Sequence, residues 1–270
     1  MSASSQKSLP LWGEGLFGMT RVLAPLLLIA LLLAAWETAC RILAVPVYIL
    51  PAPSAIGAAL AEGWPLLLAS AWNTLSTALI GLALASALAC GLALAVSLNP
   101  VIEDAVRPVA VTLQVTPLVA IGPLMTIWAG IEHPQRAVVA LAAVAAFFPI
   151  FSGALTGLKA TDSDLSRLFD LYGARRVQRL LRLHLPSAVP ALLEGHKVAT
   201  GLAVVGAVVA EFVAGSGGNQ GLAWRILEAS NRLQTARVFA ALVVLAVMGV
   251  VLHGLMSLAE RRLLTWWRGR

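Results

Sequence analysis

The sequence contains little charge, few tyrosines and almost no cysteine. Only 12% of its 270 residues are charged, about half the share of a typical soluble domain, whereas 59% are hydrophobic and the mean hydropathy is +0.87. So few charges cannot cover a water-soluble protein of this size, which excludes an ordinary cytosolic or secreted protein. The two cysteines, Cys40 and Cys90, provide neither a disulfide framework nor a metal-ligand spacing.

Several sequence signatures of catalysis and nucleotide binding are also missing. No GxxxxGK[ST] phosphate loop occurs, and the four histidines share no metal-like spacing. The apolar residues form long runs and do not alternate with polar ones, which disfavours an outer-membrane barrel. We therefore predict an all-α polytopic membrane protein with no catalytic residue, no metal site and no cofactor bound by this chain.

Charge-free windows of about 20 residues locate the expected membrane spans. For example, 24 uncharged residues separate Arg107 from Glu132. We predict a cytoplasmic segment, 1–20, and interpret the hydrophobic stretch after Arg21 as a retained first span and not as a signal peptide. A loop containing Trp64 and Pro65 is expected before the second span. The predicted spans are approximately 22–43, 73–98, 108–131, 137–158, 188–211 and 237–259, followed by a cytoplasmic tail, 261–270.

The distribution of basic residues predicts the orientation of the chain. With the N-terminus in the cytoplasm, 13 of the 19 Lys and Arg residues fall on inner segments and five fall on outer segments. This bias follows the positive-inside rule and predicts that both termini are cytoplasmic. The net charge of +6 is therefore interpreted as a topology signal and not as a nucleic-acid-binding surface.

The longest inner loop, 159–187, is predicted to contain a short amphipathic helix. Thr161 and Asp164 have the spacing of a capping box, and Gly173 is suited to the left-handed backbone of a helix end. Between them, apolar residues recur at helical spacing. These residues are Leu165, Leu168, Phe169 and Tyr172. An apolar stripe accompanied by acidic residues favours docking into a protein groove, which predicts a cytoplasmic partner.

A second, arginine-rich helix is predicted after Gly173. Its basic residues favour contact with anionic lipid headgroups. Pro186 and Pro190 are expected to end this helix at the membrane surface.

The order of motifs in this chain resembles that of binding-protein-dependent ABC importer permeases. Gly173 followed by Leu185 and Pro186 reproduces the spacing of the EAA-type loop of that family. The other matching segments resemble the nitrate/sulfonate/taurine branch. They lie at 36–37, 50–54, 116–118, 123–131, 147–150, 157–158, 210–211 and 217–222.

One position departs from the family pattern. Arg167, Leu168 and Phe169 stand where the family has Glu-Ala-Ala, so a basic residue replaces the acidic one. Either the partner groove has changed to match, using Asp164 or Asp170 as the acid, or the coupling differs. The docking role of the helix is carried over, but an acidic contact at position 167 is not.

The resemblance implies a type I ABC importer permease in the bacterial inner membrane. Two permease copies, expected to be a homodimer, would form the pathway for a small anionic solute such as a sulfonate, taurine, nitrate or related organic acid. ATPase subunits would bind ATP and Mg²⁺, and a periplasmic or lipoprotein receptor would deliver the solute. The residues expected to couple to the ATPase are Asp164, Leu165, Leu168, Phe169, Asp170, Tyr172, Gly173, Ala174 and Pro186.

Polar residues and prolines inside the spans are the candidates for the pathway or gate. They are Asn73, Thr77, Gln114, Thr116, Pro117 and Glu211. Threonine hydroxyls can instead bond to their own helix, and amides can join neighbouring helices. Glu211 is expected either at an outer gate or receptor interface, or simply at the membrane interface.

Two further features are predicted to be structural. Gly153 and Gly157 have the spacing of a tight helix contact, and Lys197 is expected to form a local ion pair near Glu194 and His196. The main alternative function is a stand-alone secondary transporter or channel, which the absence of an inverted repeat disfavours. An intramembrane enzyme is disfavoured because the spans hold no Ser/His or paired-carboxylate arrangement.

Overall fold

The computed structural model describes residues 13–130, 132–214 and 220–267, and every regular element in these ranges is helical. The helices are α1 (Gly13–Ile42), α2 (Pro53–Ser97), α3 (Pro100–Val115), α4 (Leu118–Ala129), α5 (Pro134–Lys159), α6 (Ser163–Leu171), α7 (Arg176–Arg179), α8 (Leu185–Ala214), α9 (Leu222–Asn231) and α10 (Thr235–Trp267). A π-helical turn, Leu180–His184, joins α7 to α8.

Five of these helical stretches are long and apolar enough to cross a membrane, and a bent pair, α3 with α4, brings the number to as many as six. This architecture confirms the predicted all-α polytopic fold. Of the predicted segment 1–20, residues 1–12 are outside the described ranges and residues 13–20 belong to α1. The described ranges also leave out residues 217–219, which belong to the family-like segment 217–222, and residues 268–270, which belong to the predicted tail.

The core forms where α5 packs against α8 and α2, and small residues line this contact. A Cβ on Gly153 would lie 2.7 Å from the Ala191 carbonyl oxygen, and one on Gly157 would lie 2.7 Å from the Ala188 carbonyl oxygen. Lipid provides no hydrophobic drive for helices to associate, so close backbone approach supplies the van der Waals contact. The predicted packing role of both glycines is confirmed.

The second membrane helix is much longer than predicted. The sequence predicts a loop at Trp64 and Pro65, but α2 runs unbroken through both residues for 45 residues, or about 68 Å. The hydrocarbon core of a bilayer is roughly 30 Å thick, so α2 extends beyond it. The loop prediction is wrong because an interior proline removes one backbone hydrogen bond without ending a helix that neighbouring elements support.

The third predicted span, 108–131, is not one helix. α3 and α4 meet at a bend of 101°, with Thr116 and Pro117 between them. Both residues are extended, with ψ angles of 126° and 117°. Proline disfavours helical backbone at the preceding residue, which explains a break at Thr116. Pro123, in contrast, lies inside α4.

The fifth span begins earlier than position 188, because α7, the π-helical turn and α8 form one continuous helical stretch. The expectation that Pro186 and Pro190 end a helix at the membrane is therefore wrong. Immediately before Pro186, the backbone N–H of Leu185 donates to the Leu180 carbonyl, five residues back. This π-type register accommodates a proline that cannot supply its own N–H.

The predicted ion pair within α8 is also wrong. Lys197 Nζ lies 3.0 Å from Glu260 Oε2 on α10, and the His196 ring lies 3.0 Å from the Ser86 hydroxyl on α2. Both side chains therefore join α8 to neighbouring helices and do not pair with Glu194.

Two of the family-like segments meet at the start of α2. The Glu37 carboxylate accepts hydrogen bonds from the Ser54 backbone N–H at 2.9 Å and the Ser54 hydroxyl at 2.8 Å. Ala52, at the N-cap of α2, provides no side-chain acceptor, so Glu37 satisfies an otherwise unpaired donor of the first helical turn. The segments at 36–37 and 50–54 thus attach α1 to α2.

Candidate functional site

The candidate site on the predicted cytoplasmic side is the coupling segment, residues 159–187. None of the residues of α6, its most prominent element, is buried. Leu165 and Leu168 are 47% and 44% exposed, and Phe169 is half-buried. An apolar stripe left open to solvent on a short helix is typical of a protein-binding surface.

The start of α6 differs from the prediction. Asp162 is the N-cap, and its carboxylate accepts a hydrogen bond from the Asp164 backbone N–H at 2.7 Å. The Thr161 hydroxyl instead lies 2.8 Å from Nδ1 of His184, on the π-helical turn. The predicted capping box of Thr161 and Asp164 is therefore wrong, because a contact between distant residues engages Thr161.

The end of α6 agrees with the prediction for Gly173. This residue has a φ angle of +64°, and its N–H donates to the Asp170 carbonyl at 3.0 Å. The Ala174 N–H donates to the Phe169 carbonyl, also at 3.0 Å. These two bonds form a Schellman motif, which requires left-handed backbone at the glycine position. The exposed Tyr172 immediately precedes this turn.

Ion pairs distinguish the two acids that could replace the family glutamate. Asp170 is paired with Arg179 of α7, so it holds α6 against the following helix. The Asp164 carboxylate is 84% exposed and lies 3.7 Å from Arg167, whose side chain is 80% exposed. A pair this exposed contributes little to stability. Asp164 is therefore the more exposed of the two acids, and it is not engaged by another helix.

The coupling segment is connected mechanically to the bundle core. α7 and the π-helical turn lead without a break into α8 through Pro186, and α8 packs along α5 at the glycine contacts described above. α6 is therefore linked, through the turn at Gly173 and the continuous stretch that follows, to the α5–α8 pair of the core. This connection, together with the exposed stripe, gives the segment the geometry of a lever.

Sequence analysis missed Glu103, which joins α3 to the start of the coupling segment. This side chain is 6% exposed. Its carboxylate lies 2.5 Å from Lys159 Nζ at the end of α5 and 3.2 Å from Arg107. The available signal was one of two adjacent acids, Glu103 and Asp104, at the start of an apolar run and four residues before Arg107.

We expect Glu103→Gln to lower the stability of the protein by about 1 kcal/mol, because the two cations it pairs with are more than half exposed. Thermal denaturation of the purified protein should show a midpoint lower by roughly 2–4 °C. Glu62→Gln is the matched control, since its pair with Arg237 is exposed on both sides. An equal shift in both variants would contradict the assignment.

On the predicted outer side, Glu211 forms the centre of a buried hydrogen-bonded group. Its Oε1 accepts from the Thr74 hydroxyl at 2.8 Å, and its Oε2 accepts from the Ala223 N–H at 3.0 Å. The Thr74 hydroxyl also accepts from the Leu222 N–H at 2.9 Å. Glu211 therefore caps the N-terminus of α9 and attaches it to α2 and α8.

Gly221 makes this buried group possible, and sequence analysis did not single it out. A Cβ at this position would lie only 2.0 Å from Glu211 Oε1. The glycine is needed for space and not for backbone freedom, because its φ angle is −78°. No local sequence pattern reveals the requirement, since the carboxylate arrives from another helix.

The remaining pathway candidates are only partly brought together. Asn73 lies 3.5 Å from the Gln220 carbonyl, near the Glu211 group. Two threonine candidates bond to their own helices. The Thr77 hydroxyl donates to the Asn73 carbonyl, and the Thr116 hydroxyl donates to the Thr112 carbonyl. Two further candidates, Gln114 and Pro117, are exposed on α3 and at the bend.

Comparison with known proteins assigns the family. Residues 87–265 match the family described as the inner membrane component of binding-protein-dependent transport systems. The formylaminopyrimidine transport permease protein of Halalkalibacterium halodurans is 32% identical, over 91% of this chain and 96% of its own length. The riboflavin transport system permease protein of Chloroflexus aurantiacus is 34% identical, over 87% of both chains. The taurine transport system permease protein of Escherichia coli is 29% identical, over 88% of this chain and 87% of its own.

These matches cover the bundle and the coupling segment together, and they confirm the resemblance seen in the sequence. The chain therefore belongs to the binding-protein-dependent ABC importer permeases and is a multi-pass membrane transport subunit of the type I permease fold.

Proposed function

We propose that this chain forms the translocation pathway of an ABC importer and couples it to ATP hydrolysis on a separate ATPase subunit. The observation that carries this proposal is α6, whose apolar stripe is exposed while its end is tied to α7 and α8. Burying each large apolar side chain in a partner groove stabilises the contact by about 1.5–3 kcal/mol. That is enough for α6 to follow a rigid movement of the ATPase.

The proposed assembly contains two copies of this permease, ATPase subunits that bind ATP and Mg²⁺, and a periplasmic or lipoprotein receptor. The proposed location is the bacterial inner membrane, with both termini in the cytoplasm. Support comes from the positive-inside bias of the sequence and from the arginines that follow Gly173, at 175, 176, 179 and 182. We propose a homodimer because a single type of permease subunit is the simplest composition of such an importer.

The proposed solute is small and anionic, such as a sulfonate, taurine, nitrate or a related organic acid. Relatives include a taurine permease and putative aliphatic sulfonate permeases, although riboflavin and formylaminopyrimidine permeases are also similar. A ligand screen with the purified receptor would decide this point. Selective binding of a neutral heterocycle would contradict the anionic assignment.

The proposed function is tested by reconstituting the chain in liposomes with its ATPase and receptor. We expect ATP-dependent uptake, with ATP hydrolysis stimulated by the loaded receptor. Uptake by this chain alone, driven by an ion or solute gradient, would support a secondary transporter or channel and overturn the proposal.

We expect Gly173→Val to uncouple transport from ATP hydrolysis. A left-handed backbone costs an ordinary residue about 1–2 kcal/mol, and the cost is greater for a β-branched one. The end of α6 should then shift, and receptor-stimulated ATP hydrolysis should fall by about fivefold or more. Gly173→Asn is the matched control, because asparagine adopts this backbone more readily. Loss of membrane insertion in Gly173→Val would contradict a role confined to coupling.

A further inference from the structure

A cleft of about 730 Å³ separates α6 from the inner ends of α2 and α5. Its walls include Leu98, just beyond α2, and Leu158, near the end of α5. These positions mark where two apolar helices end, so the cleft lies at the expected level of the lipid headgroups. It is distinct from the exposed stripe of α6 through which we propose ATPase docking.

Four lysine and arginine side chains line this cleft together with His184, whereas Asp170 is its only acidic lining residue among those described. The four are Lys159, Arg167, Arg176 and Arg179. Lys159 and Arg167 also pair with acids, Glu103 and Asp164, that do not line the cleft. After all three acids are counted, one positive charge remains, and Arg176 forms no ion pair within the described ranges.

One buried donor of the cleft lacks an acceptor. The Arg179 Nε–H is buried and has no hydrogen-bond partner in the described part of the chain, although its terminal nitrogen reaches Asp170. Buried donors of this kind normally have a partner. The hydroxyls of Ser163 and Ser166 also line the cleft and can donate to an anion. A fork of guanidinium donors beside hydroxyls matches a phosphate group.

We propose that this cleft binds one phosphate-type oxyanion, held chiefly by Arg176 and Arg179. The anion is the phosphodiester of an anionic phospholipid or free phosphate, which share the same chemistry. Its binding would brace α6 against the ends of α2 and α5. Arg167, the basic residue that stands in place of the family glutamate, also lines this cleft. In this proposal Arg167 contributes to anion binding on the membrane-facing side of α6.

The test measures protection of a thiol placed in the cleft. Ser166→Cys is introduced into the full chain after Cys40→Ala and Cys90→Ala, and the protein is placed in nanodiscs. The rate of labelling with a neutral maleimide is compared among phosphatidylcholine, phosphatidylglycerol, and phosphatidylcholine with added inorganic phosphate. We expect phosphatidylglycerol, phosphate or both to slow labelling by about tenfold, because charged hydrogen bonds would hold the occupant over the thiol.

Two matched variants make the result specific. Leu171→Cys, at a residue 85% exposed outside the cleft lining, should label at one rate in all three conditions. Adding Arg176→Gln to Ser166→Cys should remove the protection, and native mass spectrometry should show correspondingly fewer retained phosphatidylglycerol molecules. Because Arg176 is exposed and forms no ion pair within the described ranges, this change should leave the fold intact.

The outcomes separate the possible occupants. Protection by phosphatidylglycerol alone identifies a lipid headgroup, and protection by phosphate identifies a soluble oxyanion; either supports the site. No protection, or equal protection in Arg176→Gln, overturns it. Protection that appears only when the partner ATPase is added also overturns it, because the cleft would then belong to a protein interface. None of these results depends on transport, so the proposed function is tested separately.

Discussion

We expect Leu168→Asp to abolish receptor-stimulated ATP hydrolysis and solute uptake while the protein still inserts in the membrane. Leu168 lies on the exposed stripe of α6, in the middle of the proposed docking surface. The substitution removes a buried apolar contact worth about 1.5–3 kcal/mol and places an unpaired carboxylate in an apolar groove. ATPase affinity should therefore fall more than about 100-fold. Co-purification of the two subunits and uptake in liposomes measure the effect.

The same change should leave the isolated permease stable, because exposed substitutions usually alter stability by less than about 0.5 kcal/mol. Leu233→Asp is the matched control for ATPase binding, since Leu233 is 75% exposed between α9 and α10, outside the predicted spans and away from the coupling segment. Normal co-purification and uptake by Leu168→Asp would show that the docking surface lies elsewhere.

We expect Gly221→Ala to destabilise the protein by breaking the buried hydrogen-bonded group around Glu211. The new Cβ would lie 2.0 Å from Glu211 Oε1, so the carboxylate would have to leave the Ala223 N–H and the Thr74 hydroxyl. Leaving buried hydrogen-bonding groups without their partners in this way costs about 1–3 kcal/mol for each group. The yield of monodisperse protein and its thermal midpoint should both fall sharply.

A double-mutant cycle identifies the cause. Glu211→Ala alone should destabilise the protein by about 1–3 kcal/mol, because buried N–H groups of α9 lose their acceptor. Gly221→Ala combined with Glu211→Ala should be less harmful than the sum of the single changes, since the smaller side chain leaves room for the methyl group. Gly57→Ala is the control, as its Cβ would meet nothing within 4 Å. Additive losses in the cycle would show that the glycine serves another purpose.

Much of the fold followed from simple patterns because membrane helices are governed by length and apolarity. The boundaries of α5, Pro134–Lys159, differ by only a few residues from the charge-free window 137–158. Prolines were harder to interpret: Pro65, Pro123 and Pro190 lie inside helices. Whether a proline breaks a helix depends on the support that neighbouring elements give to its unpaired backbone, and local sequence does not contain that information.

The functional site divides in the same way. The amphipathic spacing around Leu168 and the left-handed residue Gly173 were predictable, because both depend on residues within one or two helical turns. The partner of Asp170 was not, since Arg179 reaches it only after the chain reverses at Gly173. Glu211 was recognised as unusual, but its partners come from α2 and α9.

The sequence by itself determined that this is a membrane protein, which orientation its basic residues favour, and which short amphipathic helix is suited to a partner. Its low charge and its periodic apolar residues are properties of local composition, which folding does not change. Only the tertiary structure decided that Glu211 is a buried cap, that Glu103 ties α3 to the coupling segment, and that Arg176 and Arg179 line a cleft. Each of these contacts joins residues far apart in the chain, and their closeness is set by helix packing.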